Sequence, residues 1–284
     1  MPLLKREAAA LFLDLCDTMT TLRAPEGCAW DREQTLKTLR SYLLEEAHEV
    51  LDVLDDLDDS GGGPRVDQHR EELGDLLLQI VFQSEIQREA GRFDLGDVCQ
   101  AITDKLIRRH PHLFQGGTQP REAWEALKRK ERASQVGAGE PASSALDGVP
   151  KNLPALLRAY RTGEKARGAG FDWPTHEGVL DKIKEELLEI EEAIASQEIA
   201  DRKERIESEI GDLLYATTNL ARHFEIDAEG ALRKTIARFE SRFRVVEQLL
   251  AAEGKTPETT PLPELEDKWQ RAKALLKDGG APGA

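Results

Sequence analysis

Acidic residues recur at helical spacing in four short segments of the sequence. Residues 45–49 and 185–189 both read E-E-x-x-E, and residues 72–77 and 209–214 both read E-x-G-D-L-L. Because residues three or four positions apart share one face of a helix, each segment projects its carboxylates to one side. Short connections favour antiparallel packing of neighbouring helices, so the carboxylates of each pair of segments are expected to converge on one groove.

Converging carboxylates indicate a metal site. Without a cation they would repel one another and their pKa values would rise. Carboxylate oxygens without Cys or His suit Mg²⁺ or Mn²⁺. A single E-x-x-E is typical of a solvated helix surface, but its occurrence twice, each time followed by E-x-x-D beside an apolar run, favours metal binding. The predicted ligands are Glu186, Glu189, Glu209 and Asp212 in the second half of the chain and Glu46, Glu49, Glu72 and Asp75 in the first.

Basic residues follow both acidic pairs in the same order. Mg²⁺ usually bridges to the phosphates of a substrate, and nearby Lys and Arg neutralise the remaining phosphate charge. Against the alternative of ordinary surface charge, this predicts phosphate binding by Lys234, Arg238 and Lys273, and by Lys105, Arg109 and Lys128 in the first half. Trp269 and Trp124, each four residues before the last Lys of its half, would either stack on a base or anchor a core.

The composition favours helices as the elements that position these side chains. Of the 284 residues, 39% are apolar, 33% charged and only 5% aromatic, and strong helix formers are abundant. No segment alternates as a strand would, so the predicted fold class is all-α. Apolar stripes of helical period predict helices within 40–57, around 73–81, over 95–109, 120–133, around 183–194 and 206–217, near 228–252 and over 263–277.

The repeated order of acidic, basic and Trp residues indicates two tandem helical-bundle domains that arose by duplication. Residues 134–149 are rich in small and turn-forming residues, as is typical of a linker, and residues 279–284 read as a frayed tail. The predicted N-terminal domain therefore covers residues 1–133 and the predicted C-terminal domain covers residues 150–278.

Charge and hydropathy exclude several classes of partner. The formal net charge of −15 disfavours nucleic-acid binding, which needs a positive surface. We expect no membrane association, because the N-terminus lacks the features of a signal peptide and no run approaches 18 apolar residues. Three cysteines without C-x-x-C spacing indicate reduced thiols and a cytoplasmic location.

Other functions of the acidic segments compete with the metal–phosphate interpretation. Glu45 and His48 have the spacing of a di-iron carboxylate bundle, but a di-metal oxidase needs a second E-x-x-H, and Leu188 stands at that place. His110 and His112 are interpreted as part of a loop after a helix. A nucleotide-binding regulator with weak or no hydrolysis and a structural bundle with solvated acids remain as alternatives.

The duplicated E-E-x-x-E and E-x-x-D arrangement resembles the MazG family of nucleoside triphosphate pyrophosphohydrolases. Residues 106–114 and 170–173 also resemble segments of its full-length, two-domain bacterial members, and the resemblance runs from about residue 10 to 277. It implies bundles of the all-α NTP pyrophosphatase type that form a homodimer. It also implies Mg²⁺-dependent hydrolysis of NTPs and dNTPs to nucleoside monophosphate and pyrophosphate, for nucleotide-pool housekeeping or stress control, with the activity in the C-terminal domain.

By matching position, the resemblance implies a set of substrate contacts in the C-terminal domain. Arg205 stands where Lys is usual, and Ile236 replaces an Asn in the K-x-N-x-K-F segment of the family, which would alter substrate choice or weaken the site. The N-terminal metal motif is complete, so a silent N-terminal domain does not follow. The implied contacts are Lys182, Arg205, Lys234, Arg238, Trp269 and Lys273.

The mechanistic hypothesis is hydrolysis between the α- and β-phosphates. Glu185, the acid of the cluster that is not needed as a ligand, is predicted to accept the proton of the attacking water directly or through another water. Lys234 and Arg238 are predicted to stabilise the charge that develops on the phosphates.

Overall fold

The computed structural model of the chain describes residues 2–58, 60–116, 144–196 and 201–277. The chain divides into two compact units, an N-terminal unit within Met1–Lys128 and a C-terminal unit within Arg129–Ala284. The predicted helix over 120–133, most of the predicted linker and the predicted tail lie outside the described residues, so the predicted domain borders remain predictions.

The described part of the N-terminal unit consists of helices joined by turns. Helix α5 (Leu95–Arg109) begins with a capping box, in which the Asp94 carboxylate accepts from the Asp97 N–H and the Asp97 carboxylate accepts from the Asp94 N–H. A π-helical turn, His112–Gly116, follows α5. The helices are α1 (Pro2–Arg23), α2 (Ala29–Glu33), α3 (Leu39–Leu54), α4 (Val66–Glu89) and α5 (Leu95–Arg109).

The described part of the C-terminal unit is also helical. The Asp227 carboxylate caps the first turn of α9 (Ala228–Ala251) by accepting from the Glu229 N–H, and a 3₁₀ turn, Pro257–Thr259, precedes α10 (Leu262–Lys277). The helices are α6 (Ala155–Gly168), α7 (His176–Ala195), α8 (Arg202–His223), α9 (Ala228–Ala251) and α10 (Leu262–Lys277).

Strands are absent from the described residues of both units, and the predicted all-α fold class is confirmed. None of the described helices has the length and apolarity needed to cross a membrane.

The helices that carry the acidic motifs pack against each other within each unit. Helix α3 packs on α4, and α7 packs on α8. The carboxylate of Glu46 lies near Asp75 and that of Glu49 contacts Glu72, so a step forward along α3 corresponds to a step backward along α4. This pairing shows the antiparallel packing that the sequence predicts.

Each unit has its own hydrophobic core. In the N-terminal unit, Met19, Leu39, Val81 and Phe82 are fully buried and join α1, α3 and α4. In the C-terminal unit, a cluster of Val245, Val246, Leu250 and Ala272 joins α9 to α10. Helices α1 and α6, which the apolar stripes did not predict, pack on α4 and α8 respectively.

Ion pairs tie the ends of α4 and α8 to neighbouring segments of their own units, and the pair in the C-terminal unit is the more buried of the two. In the C-terminal unit, the guanidinium of Arg222 on α8 donates to both carboxylate oxygens of Asp172, at 2.9 and 2.5 Å, in the segment that leads into α7. Although burial opposes it, these hydrogen bonds and the guanidinium charge hold the pKa of Asp172 below its usual value. In the N-terminal unit, Arg23 at the end of α1 donates to both carboxylate oxygens of Glu89, at 2.8 and 2.7 Å, at the end of α4.

Gly74 and Gly211 recur inside the helices that carry the second acidic motif, where Gly costs about 1 kcal/mol relative to Ala, and this recurrence predicts a close approach between helices beside each site. That expectation is wrong for Gly74 and Gly211, since a Cβ atom at either position would meet nothing within 4 Å. The close approach occurs instead at Gly163 on α6, where a Cβ would lie 2.6 Å from Asn219 Oδ1 and 2.9 Å from Arg222 Nε.

We therefore expect Gly163→Ala to destabilise the C-terminal unit. Both atoms that would clash belong to buried side chains of α8, so relieving the clash would disturb the Arg222–Asp172 ion pair. The free energy of unfolding should fall by about 1–3 kcal/mol, measured by urea denaturation followed by circular dichroism. Gly211→Ala is the matched control and should raise it by about 0.5–1 kcal/mol. Equal stability of the two variants would contradict this account.

Candidate metal and phosphate site

Carboxylates of the C-terminal unit meet where α7 packs on α8. One carboxylate oxygen each from Glu186, Glu209 and Asp212 lies within 4.8 Å of the other two. Glu186 is only 3% exposed, whereas Glu209 is half-buried and Asp212 is exposed. The Glu189 side chain contacts Glu186 and lies near Glu209. The structure therefore brings the four predicted ligands of this unit together, and we call them the C-terminal carboxylate group.

The N-terminal unit repeats the arrangement between α3 and α4. One carboxylate oxygen each from Glu46, Glu72 and Asp75 lies within 4.8 Å of the other two, and the Glu49 side chain contacts Glu72. Gln68 donates a hydrogen bond of 3.0 Å to Glu72 Oε1. We call these four acids the N-terminal carboxylate group.

Mutual repulsion and partial burial disfavour ionisation in both groups. Loss of hydration raises the pKa of Glu46, and the charges of Asp75 and Glu49 raise it further. Loss of hydration and the contact with Glu72 raise the pKa of Glu49. The contact with Glu186, followed by loss of hydration, raises the pKa of Glu189. A positive ion between the acids would reverse these shifts.

Among the described residues, one basic side chain pairs with an acid of the C-terminal carboxylate group: Lys182, one turn before Glu186 on α7. Its Nζ lies 2.8 Å from Glu186 Oε1 and 2.9 Å from Glu185 Oε1. The hydrogen bonds with Glu186 and then Glu185 raise the pKa of Lys182 well above its ordinary value. Glu185, the predicted proton acceptor, is exposed and lies at the edge of the group.

The donor set fits a hard divalent cation. Glu186 Oε2 is buried and lacks a hydrogen-bond partner among the described residues. A carboxylate oxygen can only accept, so leaving it unpaired costs free energy that a cation would recover. Neither carboxylate group includes a histidine. The His48 ring instead makes a 2.8 Å hydrogen bond with the Leu44 carbonyl, in agreement with its interpretation as incidental.

A separate basic groove lies between α9 and α10. Its volume is about 640 Å³, and three of its lining side chains are cationic while none is acidic. Two of these cations, Arg238 and Lys273, are predicted phosphate contacts. In the described part of the chain, no hydrogen bond or ion pair joins the groove cations to the carboxylate group. The lining residues are Ala237, Arg238, Ser241, Arg242, Lys273, Ala274 and Leu276.

The remaining predicted phosphate contacts of the C-terminal unit are exposed residues of α8 and α9. Lys234 is exposed on α9, one turn before Arg238, and Arg205 is exposed on α8, one turn before Glu209. In the N-terminal unit, Lys105 and Arg109 lie on α5, whereas Trp124 and Lys128 are outside the described residues.

Trp269 is half-buried against the core cluster of α9 and α10. Its ring lies 5.1 Å from that of Phe239, and the Arg242 guanidinium lies 6.0 Å from the Trp269 ring centre. These contacts support the core-anchor interpretation of this Trp.

The sequence patterns did not reveal the roles of two arginines of the C-terminal unit. Arg242 lines the basic groove one turn after Arg238, and its helical spacing from Arg238 was a usable signal. Arg222 stands ten residues after Asp212. The matching position in the first half, ten residues after Asp75, holds Glu85, so a comparison of the two halves does not indicate a role for Arg222.

Each unit contains a helix pair that carries four carboxylates. This repeated arrangement places the protein in the class of all-α proteins with a duplicated acidic site. The family model described as the MazG nucleotide pyrophosphohydrolase domain matches residues 34–114 and 174–246. The chain belongs to the MazG family.

Curated relatives align with nearly the whole chain. A nucleoside triphosphate pyrophosphohydrolase/pyrophosphatase MazG of Thermotoga maritima is 41% identical over 271 residues, which are 94% of this chain and 98% of the relative. A nucleoside triphosphate pyrophosphohydrolase of Escherichia coli K12 is 44% identical over 267 residues, 91% of this chain and 95% of the relative. One of Mycobacterium tuberculosis is 32% identical over 228 residues, 78% of this chain and 54% of the relative.

The raised carboxyl pKa values predict a pH-dependent stabilisation by metal. A carboxyl group whose pKa in the folded state lies above its unfolded value of about 4.5 destabilises the fold when ionised, and this effect fades as the pH falls. A divalent cation needs the ionised carboxylates and therefore competes with protons. Mg²⁺ should thus raise the thermal midpoint at pH 7.5, by mass action, and raise it much less at pH 5.

Thermal scans with Mg²⁺, or with EDTA and NaCl at matched ionic strength, measure this difference at both pH values. The double variant Asp75→Asn, Asp212→Asn is the control and should lose most of the shift at pH 7.5. An equal shift at both pH values, or one that persists in the double variant, would exclude binding at the carboxylate groups.

Proposed function

We propose that this protein hydrolyses nucleoside triphosphates to nucleoside monophosphate and pyrophosphate, with a divalent cation held by the C-terminal carboxylate group. The relatives that are 41% and 44% identical carry the name of this activity and align with 94% and 91% of the chain. The observation that carries the proposal is the buried Glu186 Oε2, which has no partner in the described structure and lies among three further carboxylates. The oxygen-only ligand chemistry favours Mg²⁺, with Mn²⁺ as a substitute.

The C-terminal unit is the better candidate for catalysis because it combines acids with cations. Lys182 lies within the C-terminal carboxylate group, whereas Tyr42 stands at the matching position in the N-terminal unit. Arg238 and Lys273 line one groove in the C-terminal unit. A triphosphate carries several negative charges, so a site that only repels it would not bind it.

The residues have distinct roles in the proposed reaction. Glu186, Glu189, Glu209 and Asp212 hold the cation, which when bound supplies positive charge against the phosphate oxygens. Lys234 and Arg238 bind the phosphates and stabilise the charge that develops between the α- and β-positions.

Water attacks one of the two phosphorus atoms of the α–β anhydride, and the bond from that phosphorus to the bridging oxygen breaks, so that nucleoside monophosphate and pyrophosphate separate. Glu185 accepts the proton of the attacking water, directly or through a second water. The ion pair with Lys182 positions the Glu185 carboxylate at the edge of the group. The Lys182 ammonium is also a proposed phosphate contact.

Product analysis tests the proposal and its assignment to one unit. The full-length protein with Mg²⁺ and a panel of NTPs and dNTPs should release nucleoside monophosphate and pyrophosphate, resolved by anion-exchange chromatography. Glu189→Ala should lower the rate by about 100-fold or more, because it removes one carboxylate that holds the charge-stabilising cation. The matched variant Glu49→Ala should retain most of the activity.

Loss of pyrophosphate with Glu49→Ala alone would move catalysis to the N-terminal unit. Orthophosphate and a diphosphate as products would contradict cleavage at the α–β bond. Nucleotide binding without any turnover would replace the enzyme by a regulator that senses nucleotides.

A homodimer is part of the same proposal and is supported by an apolar stripe on α9. Leu232, Ile236, Phe239 and Phe243 recur at i, i+4, i+7 and i+11, and their exposed fractions range from 36% to 54%. Exposed apolar faces of this kind mark interaction surfaces. Ile236, the departure from the usual Asn, contributes to this stripe, which gives it an interface role instead of a substrate contact.

Charges on this stripe should therefore weaken self-association. We expect the full-length chain to sediment as a dimer at micromolar concentration and the double variant Leu232→Glu, Ile236→Glu to sediment as a monomer, because four carboxylates would face each other across a two-fold interface. Gln248→Glu, an exposed position on another face of α9, should leave the dimer intact. A monomeric parent protein, or a dimer unaffected by the double variant, would remove the stripe as the interface.

A further inference from the structure

The two carboxylate groups share their acidic motifs but differ in whether a described basic side chain pairs with one of their acids. In the C-terminal group, Lys182 Nζ pairs with Glu186 Oε1 at 2.8 Å and with Glu185 Oε1 at 2.9 Å. The paired Glu186 side chain is only 4% exposed, and its other oxygen is buried without a partner in the described structure. The lysine therefore neutralises part of a buried charge that no other described cation reaches.

The N-terminal group has no equivalent cation among the described residues. The matching position is Tyr42, whose ring packs against Trp30 at 5.8 Å and joins the N-terminal core. The described ion pairs of this unit link Arg23, Arg65, Arg70 and Arg88 to acids outside the group.

A lysine paired with a ligand oxygen competes with a metal ion for the lone pairs of that oxygen. A divalent cation that enters the C-terminal group must displace the ammonium from Glu186 or share its carboxylate, and either change costs part of the metal-binding free energy. The flexible four-carbon stem and the 34% exposure of the Lys182 side chain allow the ammonium to move aside without repacking the core.

We propose that Lys182 is a built-in counter-ion of the C-terminal carboxylate group, which stabilises the metal-free fold and gives way when a divalent cation binds. The N-terminal group, with Tyr42, takes its cation without this exchange. The C-terminal site therefore binds metal more weakly than its four carboxylates alone would allow, so that metal loading there is reversible. This inference rests on the proposed function only in taking the C-terminal group to be a metal site.

Metal titration of the full-length protein tests the counter-ion role independently of turnover. The parent carries Glu72→Gln and Asp75→Asn to remove the N-terminal group, and free Mn²⁺ is followed by electron paramagnetic resonance. Lys182→Met in this parent should lower the Mn²⁺ dissociation constant by about tenfold, because a charge-assisted hydrogen bond no longer competes. Lys182→Arg, which keeps a cation, should stay near the parent value.

Lys184→Met is the matched control on the same helix. Lys184 pairs with Asp181 on the exposed surface, outside the carboxylate group, so its loss should leave the Mn²⁺ dissociation constant unchanged. In EDTA, Lys182→Met should also melt at a lower temperature than Lys184→Met, and Mn²⁺ should reverse this difference.

The outcomes separate the failure of this inference from the failure of the proposed function. Unchanged or weaker Mn²⁺ binding in Lys182→Met, with binding intact in the parent, would overturn the counter-ion role and leave the metal site in place. Absence of any Mn²⁺ binding in the parent would remove the site itself and the inference with it.

Discussion

Repulsion among closely held carboxylates is the constraint on which the rest of the structure depends. In each unit, oxygens of three acids lie within 4.8 Å of one another, with the side chain of a fourth acid in contact with the set. Two unit charges about 4 Å apart repel by about 1 kcal/mol in water and about 4 kcal/mol near a protein surface. The helix pairs must therefore be held together by forces away from the acids.

In each unit an ion pair ties the second motif-bearing helix to a neighbouring segment, and the polarity of the pair is opposite in the two units. In the C-terminal unit the motif-bearing α8 contributes the cation, Arg222, and the segment before α7 contributes Asp172. In the N-terminal unit the motif-bearing α4 contributes the acid, Glu89, and α1 contributes Arg23. Duplicated domains can thus keep a site geometry while exchanging the chemistry that supports it. The same freedom explains why Lys182 has no N-terminal counterpart.

Local periodicity was sufficient to predict the helices that carry the site. The predicted helix over 95–109 matches α5, and the antiparallel convergence of the acids followed from their spacing and from the short connections between the helices. Helices α1 and α6 were missed because their partners are distant in sequence and their role is to cover α4 and α8. The Arg222–Asp172 pair joins residues 50 positions apart, so no spacing rule reveals it. The glycine at position 211 was misread because a sequence does not show which helical glycine faces a neighbour.

The most direct test of this account is to locate the metal. Crystals of the full-length protein soaked in Mn²⁺ and measured at the manganese absorption edge would show each bound ion as an anomalous peak. The account predicts a peak enclosed by Glu186, Glu189, Glu209 and Asp212, with Lys182 Nζ moved away from Glu186. Peaks only at other acidic surfaces, with the C-terminal carboxylate group empty at saturating Mn²⁺, would contradict it.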